Sequence, residues 1–161
     1  MSEVVQWFGQ QLDCSFTWDD AEKLISSWDG NMIIKGLASA EDAKIAADIG
    51  AAAVVVSNHG GRQANGGLAA IDMLPGVVEG SGDTPVWFDS GVRSGTDLIK
   101  AIALGATAVG VGRPYLYGLA LGGAEGAAHV LRCILAEADL LMAVNGYPAI
   151  ENLRAAGIQR T

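Results

Sequence analysis

Ala51-Ala52-Ala53-Val54-Val55-Val56-Ser57-Asn58-His59-Gly60-Gly61-Arg62-Gln63 changes from an unbroken apolar run to a polar loop within one residue. Six consecutive small or β-branched apolar residues predict a strand buried on both faces, the kind found in parallel sheets. The polar stretch therefore lies at the strand's C-terminal end, where parallel α/β folds keep their chemistry. A histidine can move a proton near neutral pH, and Arg62, three residues on, can clamp a carboxylate through two parallel hydrogen bonds. Gly60 and Gly61 allow a tight turn and the close approach of a flat ligand. A base, an anion clamp and a gap without side chains suit an anionic substrate lying against a planar cofactor.

Outward from this stretch the same pattern recurs. Met32–Lys35, Pro85–Phe88 and Ala106–Val111 read as further strands, each ending in a polar or glycine-rich turn. Helices are predicted from Ala40 (capped by Ser39) to Ile49, from Ala69 to Glu79 with an interruption at Pro75, and from Gly95 to Leu104. Thr17 caps a helix reaching about Trp28, after an amphipathic lead-in from Val4 to Leu12. Two more helices, Tyr115–Ala120 and Glu125–Ala143, and a short one near Ala149–Arg154 complete the chain; His129 falls on one of them as a surface residue.

An internal repeat at an offset of 55 supports the reading. Gly36, Ser39, Asp42, Gly50-Ala51 and Ala53-Val54 match Gly91, Ser94, Asp97, Gly105-Ala106 and Ala108-Val109. Each copy holds strand, turn, helix, glycine and strand, as repeated βαβ units require. A complete (β/α)8 barrel needs about 250 residues; with 161 residues and four strand–helix units, the expectation is half of one. We expect a single α/β domain over 1–161, with lead-in helices in 1–30, four βα units in 31–120 and C-terminal helices in 121–161. Half a barrel leaves two open sheet edges, so a homo-oligomer or a complementary N-terminal half-barrel is the expected partner.

The chain carries 10 Lys and Arg against 18 Asp and Glu, a net charge of −8. This argues against nucleic acid and anionic membranes as partners. Against that background four cations, Lys35, Arg62, Arg93 and Arg113, all fall at or just after strand ends, which points to a small anion bound on one face. Asp89-Ser90-Gly91-Val92-Arg93 and Gly112-Arg113 follow the last two strands, where barrels commonly hold a phosphate. Backbone N–H groups near Gly91 and Gly112 can donate to phosphate oxygens, and Arg93 and Arg113 add charge and forked donors. Asp89 suits a ribityl or ribose hydroxyl, and a cation at Lys35 can stabilise negative charge on a reduced cofactor ring. Two cysteines, Cys14 and Cys133, are too few for a disulfide framework. No apolar run reaches the roughly 18 residues of a membrane span and no secretory leader is expected, so the expected location is cytoplasmic.

Ser57–Gln63 closely resembles the active-site signature of FMN-dependent α-hydroxy-acid oxidases and dehydrogenases, the glycolate oxidase and L-lactate dehydrogenase family. Thr17-Trp18-Asp19-Asp20, Ile34-Lys35-Gly36, Asp89 to Asp97 and Ala101 through Gly118 agree with it, and the resemblance runs from about Trp7 to Leu153. It implies the second half of a (β/α)8 TIM barrel, FMN as cofactor, and oxidation of a small L-2-hydroxy acid such as lactate or glycolate to the 2-oxo acid. It casts His59 as catalytic base, Arg62 as the substrate-carboxylate ligand, and Lys35, Ser57, Asp89, Gly91, Arg93, Gly112 and Arg113 as FMN ligands. In the resembled pattern the first half brings tyrosines to the substrate, polar residues to the flavin and the carboxylate that orients the histidine. None has an equivalent here, so a truncated or split gene product is expected. Ser90 stands where the pattern usually has Gly, and Ala64-Asn65-Gly66 follows Gln63 where it has Leu-Asp. Two other readings share these motifs. One is a non-catalytic, self-associating half-barrel that at most binds FMN or phosphate compounds. The other is a different FMN barrel, such as a type 2 isopentenyl diphosphate isomerase, which does not need the His59–Arg62 loop.

Overall fold

A computed structural model of the chain describes residues 3–64 and 66–158. Asn65, named above in the loop after Gln63, lies outside the described residues, as do the ends of the expected 1–161 domain. The elements run α1 (Glu3–Gln11), α2 (Trp18–Ser27), β1 (Ile33–Leu37), α3 (Ala40–Asp48), β2 (Ala53–Val56), α4 (Ala70–Ser81), β3 (Val86–Phe88), α5 (Gly95–Ala103), β4 (Ala108–Val109), α6 (Arg113–Val144) and α7 (Ile150–Ala156). The four strands form one parallel sheet in the order β1-β2-β3-β4. Sequential order without a switch point is the wall of a barrel rather than a doubly wound sheet.

The two faces of that wall differ. Alternation along the strands turns Val54, Val56, Val86 and Phe88 toward α3 and α4, where they join Ala43, Ala46, Leu74 and Val77 in the main core. The opposite face, carrying Ile33, Lys35, Trp87 and Ala108 in register with Ala53 and Val55, has no layer of helices among the described residues, and Ile33 and Trp87 are 42% and 39% exposed. A smaller cluster of Ile102, Ala103 and Leu153 ties α5 to α7.

The repeat seen in sequence is a repeat in structure. Ser39 and Ser94 each accept a hydrogen bond from the backbone N–H three residues on, at 3.1 and 3.3 Å. Both helices end with the same backbone angles, at Ile49 and Leu104, followed by Gly50 and Gly105 at φ 90° and 106°. Ala51 N–H and Ala106 N–H then each reach back to Ala46 and Ala101 carbonyls at 3.0 Å.

Two expectations shift. First, β1 runs on to Leu37, because Gly36, at φ 100°, bulges out of register between Lys35 and Leu37. β2 and β4 start two residues late, since Ala51 and Ala106 spend their N–H groups closing the preceding helices. Second, α4 is not interrupted at Pro75. Proline forfeits one hydrogen bond there, but Leu74 and Val77, both fully buried, hold the helix to the sheet on either side of it. The two helices expected after β4 are both present within α6: Gly122 and Gly123 leave helical geometry, and the chain folds back there so that Gly118 and Gly126 meet backbone to backbone.

Candidate functional site

The C-terminal ends of β1 to β4 surround one open cleft of about 390 Å³, within the usual range of small-ligand pockets. Lys35, His59, Arg62, Asp89, Gly91, Arg93, Gly112 and Arg113 all line it. Four cations and the histidine thus share one rim in an acidic chain. Ser57 alone of the expected site residues does not reach the cleft surface; it is 3% exposed and lies beneath it.

That buried hydroxyl organises the floor. Lys35 Nζ donates to Ser57 Oγ at 2.7 Å and pairs with Asp89 Oδ2 at 2.8 Å. Ser57 Oγ donates in turn to Asp89 Oδ1 and accepts from His59 N–H at 3.1 Å. Ser90 Oγ donates to the same Asp89 oxygen at 2.9 Å. Burial pushes the Asp89 carboxyl up, but hydrogen bonds from Lys35, Ser57 and Ser90, with the Lys35 charge, outweigh it and hold the group below the ordinary aspartate value. Asp89 is therefore a charged anchor whose two oxygens already have partners.

The loop after β2 is a single tight turn, His59–Gly61, with Gly61 N–H donating to Asn58 O at 2.9 Å. His59, Gly60 and Gly61 all have positive φ. The imidazole settles over Gly36, where a Cβ would lie 3.0 Å from Nε2, and the Arg113 guanidinium settles over Gly60, where a Cβ would lie 2.7 Å from Nη2. Arg113 Nη2 also donates to the Gly60 carbonyl at 2.9 Å, so the last strand's arginine braces the histidine loop. On the other side of the cleft, a Cβ on Gly91 or Gly112 would meet no atom within 4 Å. Both backbones open onto free space beside Arg93 and Arg113, as a phosphate cradle requires. Asp97 fixes this turn by accepting from Arg93 N–H and Ser94 N–H at 2.9 and 3.2 Å. Glu137 of α6 caps the next two amides of α5, Gly95 and Thr96, at 3.0 and 3.2 Å. Those bonds and one from the Thr96 hydroxyl hold its carboxyl below the ordinary glutamate value.

Two participants are not among the expected site residues. Gly36 is the seat of the imidazole, and Ser90, at φ 84°, accepts from Asn58 N–H and Gly60 N–H at 3.2 and 3.1 Å. The glycine after Lys35 was a turn signal; nothing local announced the Ser90 contacts, because their partners lie 30 and 32 residues away.

A partial parallel barrel thus carries a lysine, a histidine–arginine loop and a glycine–arginine turn at its strand ends. The chain belongs to the FMN-dependent dehydrogenase family, whose sequence profile it matches over residues 1–160. It is 49% identical over 138 residues to an FMN-dependent α-hydroxy-acid dehydrogenase of Schizosaccharomyces pombe, covering 85% of this chain and 34% of that protein. It is 44% identical over 153 residues to an L-lactate oxidase of Nostoc, covering 94% and 42%. Among solved structures, an active chimera of (S)-mandelate dehydrogenase superposes with a TM-score of 0.88 at 41% identity, covering 94% of this chain and 43% of that one. Mandelate oxidase with benzoyl-formic acid gives 0.81 at 39% identity, covering 86% and 42%. The chain thus spans about a third to two-fifths of the length of these relatives. No helix among the described residues is long and apolar enough to cross a membrane.

Proposed function

We propose that this chain is the FMN- and substrate-binding half of an enzyme that oxidises a small L-2-hydroxy acid, lactate or glycolate in type, to the 2-oxo acid. The observation that carries the reading is the cleft itself: Lys35, His59, Arg62, Arg93 and Arg113 meet at one rim of a chain whose net charge is −8. The donor set fits FMN. Gly91 and Gly112 leave backbone and space open for the phosphate, Arg93 and Arg113 supply its counter-charge, and Lys35 sits at the cleft floor to meet negative charge on the ring. Bound FMN supplies the two-electron acceptor that no side chain here provides.

The chain's own residues do the rest. Arg62 pairs with the substrate carboxylate through a forked contact. His59 accepts the proton of the substrate hydroxyl, its ring held in place over Gly36. Gly60 leaves room for Arg113 to lie against the loop, and Gly61 keeps the space beside it free of side chains. The network from Lys35 through Asp89 and Ser57 fixes the amide of His59, so the imidazole's approach is set by the sheet rather than by the loop alone. The open inner face of the sheet is covered by a complementary half-barrel, which supplies the groups that orient the histidine. Two free cysteines, both exposed, support a reducing, cytoplasmic setting.

Flavin fluorescence tests the binding step. Titrating the full chain into FMN should quench emission, and Arg113→Ala should weaken binding about tenfold or more, the scale of losing one charge-assisted contact. Riboflavin, lacking the phosphate, should bind more weakly and be indifferent to that change. No quenching at high micromolar protein, or equal binding of the two flavins, would overturn the reading. In the completed barrel, His59→Gln should lower turnover about 10²–10⁴-fold. A second reading, a self-associating half-barrel that binds FMN or phosphate compounds without turnover, draws on the exposed Ile33 and Trp87 face; a stable homodimer with no turnover in any combination would favour it.

A further inference from the structure

Among the described residues only His59 and Ser90 combine positive φ with a side chain other than hydrogen. An L-residue there is sterically disfavoured, and such an outlier persists when its surroundings hold it. At Ser90 those surroundings are three hydrogen bonds and a longer contact with Ser57 Oγ at 3.4 Å. A hydroxyl has one proton to give and two lone pairs to offer, and Ser90 uses all of them: it donates to Asp89 Oδ1 at 2.9 Å and accepts from Asn58 N–H at 3.2 Å and Gly60 N–H at 3.1 Å. Ser57 is used in the same way, donating to Asp89 Oδ1 and accepting from Lys35 Nζ and His59 N–H. The amides of three successive residues, 58 to 60, therefore end on two hydroxyls, and both hydroxyl protons end on one carboxylate oxygen. A glycine at 90 would adopt the same backbone without strain, but it would leave Asn58 and Gly60 amides without this acceptor.

We propose that Ser90 is a positioning residue whose hydroxyl clamps the His59 loop to the end of β3, so that His59 and Arg62 are aimed at the cleft before any ligand arrives. This rests on the reading of that loop given under the proposed function. The charge on Asp89 does the orienting: because it takes both protons, both serines face the loop as acceptors.

The clamp predicts that loop order and global stability separate. In the full chain without flavin, amide hydrogen exchange at Asn58 and Gly60 should speed up about tenfold in both Ser90→Gly and Ser90→Ala, the loss of one hydrogen bond each. The amides of Ser94 and Asp97, in the same β3–α5 turn, should keep their rates. Ser90→Gly should melt no lower than the parent, since it relieves the backbone, and about 2–4 °C above Ser90→Ala, which does not. Unchanged exchange at Asn58 and Gly60 in both variants, or acceleration extending equally to Asp97, would overturn the proposal. Neither readout uses FMN. Unchanged exchange would therefore leave the flavin reading standing, while failed FMN binding alongside accelerated exchange would remove the flavin reading and keep the clamp.

Discussion

The β1–α3–β2 and β3–α5–β4 units share a backbone and differ in what they hold at their rims. Ser39 and Ser94, Gly50 and Gly105, and Ala46 and Ala101 occupy matching places with matching hydrogen bonds. At the strand ends the match fails: Lys35 corresponds to Ser90, Ser57 to Gly112. Positions that coincide are those the helix caps and turns demand; Lys35 and Ser90, Ser57 and Gly112 diverge at the cleft or directly beneath it. The scaffold is thus used twice, once to present a lysine and a histidine loop and once to present a carboxylate and an anion cradle.

The widest expected difference lies at the first helical residue, Ala40 in α3 and Gly95 in α5. A Cβ on Gly95 would come within 2.3 Å of Ala138 N and 2.7 Å of Ile134 O, because α6 crosses α5 there; at Ala40 the crossing helix α4 supplies the glycine instead, Gly80, whose Cβ would lie 2.1 Å from Ala40 O. Gly95→Ala should lower unfolding free energy by about 3 kcal/mol, and Ala40→Gly by less than about 1 kcal/mol. Urea titration measures both, and equal costs would mean the two units have the same surroundings after all. Next come the closing glycines. Gly50→Ala meets only Ile25 Cγ2 at 3.9 Å, whereas Gly105→Ala meets Val78 Cγ1 at 2.8 Å. Backbone strain is common to both, about 1 kcal/mol, and crowding should bring Gly105→Ala to about 2 kcal/mol. The caps should then show likeness rather than contrast: Ser39→Ala and Ser94→Ala should each cost about 1 kcal/mol in the same denaturation assay, and a gap larger than either cost would break the equivalence.

The smallest effect is a pH dependence found in one unit only. Asp89 has a lowered pKa when folded, while its counterpart Ile34 does not titrate. As pH falls the unfolded chain takes up the Asp89 proton first, so the stabilisation is complete above the unfolded value, about pH 3.9, and is lost as pH drops through the folded one. Melting temperature should therefore fall less steeply below pH 4 in Asp89→Asn than in the parent. Parallel slopes would detach the carboxylate from the network.

Much of this was legible in residue order. The Ala51–Val56 run located a buried parallel strand, the offset of 55 located the repeat, and four cations at strand ends located the rim. What escaped was whatever depends on distance through space. Pro75 signals a break locally, yet burial of Leu74 and Val77 outweighs one missing hydrogen bond. Ser90 reads as a minor departure in a glycine turn, yet its hydroxyl meets amides on another strand's loop. Asp89 reads as a ligand for a sugar hydroxyl; its contacts with Lys35 and Ser57 come from two other strand ends and could not be read from the sequence.

Trp87, the one tryptophan on a strand, stands on the uncovered side of the wall with 39% of its surface in water. An indole so placed is a native optical gauge. With Trp7, Trp18 and Trp28 changed to phenylalanine, its emission would sit toward the red while the wall is bare and slide toward the blue as a second layer of strands closes over it, giving assembly a colour readable without any added label.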